Sequence, residues 1–180
     1  MKILVSFLSI LLLSLNASAP AQQPGKGDSC QFSLSGAPAK PVVEGPQEIT
    51  DRIYFVDQPD SPLEIADVDF SKSALWGTAE QTNYQLHCAL RVRNRSDRQI
   101  LGFNLVVLVG IPGKGTGGGY GARPGEYSLA PGQELETHQG CGGYGGVGLP
   151  LSRVRVMVFV DSVDLAGCVY VPSRRFPHDL

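Results

Sequence analysis

From Tyr84 to Val92 the chain keeps a period of two: Tyr84, Leu86, Cys88, Leu90 and Val92 alternate with Gln85, His87, Ala89 and Arg91. Alternation of this kind puts one set of side chains on each face of an extended strand, one face dry and one wet. Val154, Val156, Val158 and Val160 repeat the pattern against Arg153, Arg155, Met157 and Phe159. Between the two, 100–109 is almost wholly apolar and rich in β-branched residues, as a central strand is. Shorter strands are expected over 48–56, 63–71, 126–129, 134–138 and 168–171. Pro131-Gly132 suits the centre of a type II turn, where glycine supplies the positive φ, and Asn94-Arg95-Ser96-Asp97 reads as a second polar turn. Beyond residue 21 no window of helical length carries an apolar stripe. Short strands with frequent turns and no intervening helices predict an all-β, antiparallel sandwich of two sheets, with about seven strands.

The N-terminus has a different character. Met1-Lys2 precedes an apolar run over 3–15, and Ala19-Pro20-Ala21 follows it. A charged start, a short greasy core and small residues make a secretory signal peptide. The run is too short for a bilayer, which takes about 20 apolar residues. Cleavage is expected after Ala21, with Ala17 and Ala19 offering an alternative site. The expected organisation is a signal peptide over 1–21, an extended lead-in over 22–47, a sandwich domain over 48–175 and a tail over 176–180. Export places the mature chain in the periplasm or outside the cell, without a transmembrane segment.

Charge sets further limits. With 15 Lys and Arg against 17 Asp and Glu the formal net charge is −2, far from the basic excess of a nucleic-acid binder. The distribution is uneven: 22–80 holds 4 basic and 10 acidic residues, and 81–180 holds 10 and 7. Opposite-sign halves can attract each other within one fold or steer a charged partner, and the first is the expectation here.

Cys30, Cys88, Cys141 and Cys168 form an even set in an exported chain, so two disulfides are expected, and three pairings are open. No Cys-x-x-Cys occurs, and His138-Gln-Gly-Cys141 lacks a second pair at metal-site spacing, so no metal is expected. Of 22 glycines, 15 fall within 110–148, all but Gly132 in what read as two loops, 110–125 and 140–148. If successive strands alternate in direction, both loops lie at one end together with 76–82. That end would gather Trp76, Tyr120, Arg123, His138, Cys141 and Tyr144. Cys168, after one more descent, falls at the opposite end, and a disulfide needs Cα atoms within about 7 Å. Cys141–Cys168 is therefore disfavoured, and the expected bonds are Cys88–Cys168 and Cys30–Cys141.

The stretch Leu90-Arg-Val-Arg-Asn-Arg-Ser-Asp-Arg-Gln-Ile100, the apolar strand after it, and Leu129-Ala-Pro-Gly-Gln-Glu134 resemble exported bacterial β-sandwich domains of the immunoglobulin/fibronectin-III-like kind, the group that includes FxLYD-type domains. Pro62-Leu-Glu-Ile-Ala-Asp-Val-Asp-Phe70 is similar to the entry strand of such domains, so the resemblance covers about residues 62–172. The glycine-rich segments and the four cysteines depart from that pattern. The resemblance implies an Ig-like fold and placement in the envelope or outside the cell, with no catalytic residues to carry over.

Motifs for chemistry are weak. Gly113-Lys-Gly115-Thr-Gly-Gly118 matches GxGxxG in form, but Gly119-Tyr-Gly-Ala-Arg-Pro-Gly125 follows where a dinucleotide site needs a helix. Lys114 precedes Gly115 and not Ser or Thr, so it is no phosphate loop. There is no GxSxG, and the three histidines have no local nucleophile. His87 reads as a solvated strand residue, Asp67 and Asp69 as an acidic outer face. Arg91, Arg93, Arg95 and Arg98 read as a sheet surface, and Asn94-Arg-Ser96 matches a glycosylation sequon. Trp76, Tyr120, Arg123 and Tyr144 are the binding candidates, since loops over a rigid scaffold carry recognition. The expectation is a non-catalytic module for adhesion, assembly or protein recognition, with a protein or glycan partner and no cofactor. The alternatives are a small-ligand or carbohydrate binder at the glycine-rich end, and an enzyme whose site assembles only in space.

Overall fold

The computed structural model describes residues 30–111, 114–116, 119–122, 128–137, 141 and 143–174, with the backbone alone over 114–116 and 119–122. The expected signal segment, Arg123, His138 and the 176–180 tail lie outside the described residues.

Nearly all regular structure is strand, and the fold is an all-β sandwich. One sheet has the order β1 (Val42–Glu44), β3 (Leu63–Asp69), β6 (Ala89–Asn94), β10 (Glu134–Thr137). A second has β11 (Gly143–Val147), β5 (Thr82–Leu86) and β4 (Ala74–Gly77). The third runs β13 (Cys168–Tyr170), β12 (Arg155–Leu165), β7 (Ile100–Ile111), β8 (Lys114–Thr116); β2 (Ile53–Phe55) also pairs with β12, and β9 (Gly119–Ala122) with β7. The first two sheets are successive halves of one bent layer: β3 leads to β4, β5 to β6, and β10 to β11. The period-two residues behave as expected, with Tyr84, Leu86, Cys88, Leu90 and Val92 all buried. They share one core with Phe103, Leu105, Val107 and Val109 of β7 and with Val156, Val158, Val160 and Val163 of β12. Each such side chain contributes about 1.5–3 kcal/mol on burial.

There are thirteen strands among the described residues rather than seven, and the bend, by dividing three strands in two, accounts for three of the additional ones. At His87-Cys88 the ladder is interrupted and backbone groups lose their strand partners. Ser73 repairs one side: its hydroxyl donates to the His87 carbonyl at 2.6 Å and accepts from the His87 amide at 2.8 Å. Thr137 repairs the other, accepting from the Leu90 amide at 3.2 Å and donating to the Leu90 carbonyl at 3.1 Å. Buried backbone groups left without such partners would cost about 1–3 kcal/mol each.

The same place corrects the disulfides. The bonds are Cys88–Cys141 and Cys30–Cys168, with Cα separations of 5.4 and 5.8 Å, not Cys88–Cys168 and Cys30–Cys141. Cys141 lies between β10 and β11, and Cys88 lies between β6 and β5, the strands those two pair with, so the bond staples the bend. Cys30 is carried to β13 by the lead-in, which runs along the 95–98 segment: Leu34 bridges Ser96, and the Ser35 amide donates to the Arg95 carbonyl at 2.8 Å. The Ser33 amide donates to Asp97 Oδ1 at 2.9 Å, and that bond holds the Asp97 carboxyl below its ordinary range. Phe32 meets Tyr170 edge-on at 4.9 Å.

Four further expectations change. Residues 48–56 are not one strand: α1 (Gln47–Thr50) turns the chain, burying Ile49, before β2. This turn carries the chain from β1 in one layer to β2 in the other. Both pair in parallel, β1 with β3 and β2 with β12, so the sheets are mixed and not purely antiparallel. β12 is buried on both faces, because Met157 and Phe159 pack with Val56, Val106 and Leu108 in a second cluster. The polar turn at Asn94–Ser96 is buried under the lead-in, all three residues being at most 3% exposed. The Asn94 side chain there donates to the Arg98 and Leu129 carbonyls, so it is an internal brace and not an accessible sequon. The Pro131-Gly132 turn forms as expected, with Gly132 at φ +76° and the Gln133 amide donating to Ala130 O at 3.0 Å.

Candidate functional site

Much of the glycine belt is strand. β8 and β9 fold back along β7, and β11 pairs with β5. This separates the candidates. The backbone of Tyr120 lies opposite Leu105, in the layer of β7 and β12. Trp76 and Tyr144 instead flank β5 in the small sheet: Trp76 pairs with Asn83, and Tyr144 with Gln85. Asn83 and Gln85 are two residues apart, so all four positions share one face. The opposite face carries Leu75, Tyr84, Leu86 and Val147, all buried in the core.

The outer face is wet and broad. Trp76 is 51% exposed and Tyr144 90% exposed. They stand two strands apart and two residues out of register, a Cα separation of about 12 Å from sheet spacings. Between them runs a row of neutral polar side chains. Gln81 Nε2 donates to Asn83 Oδ1 at 3.4 Å, and Gln85 Nε2 meets His87 Nε2 at 3.2 Å. Gly146 makes room for this row: a Cβ there would stand 2.8 Å from Gln81 Nε2 and 3.1 Å from Asn83 Oδ1. The hairpin joining β4 to β5 is held by its own bonds, Thr78 N–H to Gln81 O at 2.8 Å and the Glu80 and Gln81 amides to Thr78 Oγ1. Rings and amides therefore project from a sheet fastened by hydrogen bonds and, two residues beyond β5, by Cys88–Cys141.

The amide row was open to sequence reasoning as the wet half of the alternation, which already placed Gln85 and His87 outward. Nothing in the sequence aligned β4 and β11 on either side of it. Several other acidic and basic residues serve local pairs. Asp67 pairs with Arg91, which also reaches Glu134 at 3.8 Å, and the Asp69 carboxyl is kept low by the Ser71 hydroxyl and by the Ser71 amide, which donates to it at 2.7 Å. Among the described residues no three His, Cys, Asp or Glu side chains gather as a metal site would require, and no helix is long and apolar enough to cross a membrane.

The fold and face together define a class, a disulfide-stapled β-sandwich with an aromatic and amide outer sheet. No family model, no curated protein and no solved structure matches the chain.

Proposed function

We propose that the chain is an exported, non-catalytic recognition module of the envelope or extracellular space that binds a neutral glycan across the outer face of β4, β5 and β11. One observation carries this reading: two exposed aromatic rings flank a row of uncharged amides on a single rigid face. Aromatic faces stack on the apolar C–H faces of sugar rings, and carboxamides offer both donors and acceptors to hydroxyl groups. The register positions between Trp76 and Tyr144 carry no Lys, Arg, Asp or Glu, which favours an uncharged ligand over a charged peptide. The signal segment and the disulfides accord with an oxidising compartment.

Titration of the mature protein with neutral and acidic oligosaccharides, read by Trp76 fluorescence, tests the proposal. Neutral oligosaccharides should shift the emission. Trp76→Ala and Tyr144→Ala, each on an exposed site, should weaken binding by about tenfold or more with little change in melting temperature. Binding of acidic glycans only, of no glycan, or binding that survives the double substitution overturns it.

A further inference from the structure

A second site lies away from the aromatic face, between the layers. A cavity of about 320 Å³ opens beneath the lead-in, with Phe55, Leu63, Ile65, Val158 and Val160 on its walls and Lys40 beside them. That volume is within the range of small-ligand pockets. Arg95 also lines it. Arg95 is 2% exposed, and its Nη2 donates to the Gly36 carbonyl at 2.6 Å. Its Nε is buried and has no hydrogen-bond partner among the described residues. An orphaned guanidinium N–H is rare and costly, because buried donors are almost always paired.

Glu64, which also borders the cavity, does not fill that role. Its Oε1 accepts from the Ala39 amide at 2.6 Å, and its Oε2 takes both Arg93 Nε at 2.9 Å and Arg93 Nη2 at 2.6 Å. Asp57, the other carboxylate on the cavity, is paired with Arg174 at 2.9 Å. Arg93, Arg95 and Glu64 thus leave one positive charge in excess, and Lys40 adds another. Burial, opposed by attraction from Glu64 and reinforced by repulsion from Arg93, pulls Arg95 below its ordinary range, though an arginine stays charged.

We infer that this cavity binds a small apolar monocarboxylate, with the carboxylate on Arg95 Nε and Lys40 and the apolar body against Phe55, Leu63, Ile65, Val158 and Val160. A carboxylate supplies the missing acceptor and cancels one of the two excess charges, and charge-assisted bonds to arginine are the strong ones. The walls suit a hydrocarbon body. The site is independent of the aromatic face.

The probes are octanoate, N-acetyl-leucine and 1-octanol, titrated into the mature, disulfide-bonded protein. The two carboxylates present the same group on an acyl chain or on an amino acid, and the tighter one identifies the source. At least one should bind about tenfold or more tightly than 1-octanol, as a lost charge-assisted hydrogen bond implies. The ¹H–¹⁵N signal of Arg95 Nε should move on binding in the unmodified protein, and the ligand should show contacts to the Ile65 methyls. Arg95→Gln should weaken carboxylate binding by about tenfold or more without affecting 1-octanol. Since that variant can fail to fold, the Arg95 signal of the unmodified protein decides. An unmoved signal at saturation, or carboxylates no tighter than the alcohol, overturns the inference.

Discussion

Replacing Arg93 by Met would orphan a buried charge. The Glu64 side chain is 3% exposed, and two of its three donors come from the Arg93 guanidinium. Methionine keeps much of the apolar stem but supplies no proton. Among the described residues Glu64 would retain only the Ala39 amide as a hydrogen-bond donor. Removing one partner of a buried ion pair costs about 3–5 kcal/mol. Here Arg93 is 38% exposed, and Arg95 still interacts with Glu64. The lower end, about 3 kcal/mol, is therefore expected. For a domain of this size that is a melting-point drop of roughly 6–12 °C. Adding Glu64→Gln removes the stranded charge while its carbonyl still accepts from Ala39, so the double variant should regain about 1–2 kcal/mol. Urea unfolding followed by far-ultraviolet circular dichroism measures both. Arg93→Met within about 0.5 kcal/mol of the parent, or a double variant less stable than Arg93→Met alone, would refute the assignment.

Four other outcomes are expected. Cys88→Ala with Cys141→Ala opens a loop with a sequence separation of 53; on the chain-entropy model this costs about 4 kcal/mol, measurable by guanidinium unfolding. A non-reducing peptide map should give Cys30–Cys168 and Cys88–Cys141, and a Cys88–Cys168 peptide would contradict the fold. Leu90→Asp puts a charge into a fully buried site and should cost more than about 4 kcal/mol, whereas exposed Arg153→Glu should stay within about 0.5 kcal/mol; parallel urea curves compare them. Burial pushes the Asp60 carboxyl up, but bonds from the Tyr170 hydroxyl at 2.5 Å and the Ser173 amide at 2.8 Å outweigh it and hold it below its ordinary range. A depressed carboxyl stabilises the fold above its unfolded pKa, about 3.9, and that contribution is lost as pH falls through the folded value. The stability difference between the parent and Asp60→Asn should therefore shrink as the medium is acidified; a difference independent of pH counts against the bond.

The alternation over 84–92 made the sheet class legible, because parity alone decides which side chains face the core. It hid the bend. Leu86, Cys88 and Leu90 stay in phase across the interruption at His87-Cys88, and only the distant residues Ser73, Thr137 and Cys141 mark it. The disulfide expectation failed for a related reason: counting strand directions treats the glycine-rich stretches as loops, while β11 is a paired strand that starts just after Cys141. Asn94-Arg95-Ser96 read as a solvated turn because its cover, Leu34 and Ser35, lies some sixty positions away in sequence. Trp76 and Tyr144 stood out as aromatics. That they share a face, and that Tyr120 does not, follows from cross-strand register, which local sequence does not encode.

The bond between Cys30 and Cys168 spans 138 positions and joins the described chain almost end to end. Suppose one terminus is anchored and the other pulled, as happens to any protein holding on against flow. Tension enters at one sulfur and leaves at the next, so the sheets between them carry almost none of it. Oxidised, the molecule would transmit load like a short covalent link; reduced, it would unravel strand by strand.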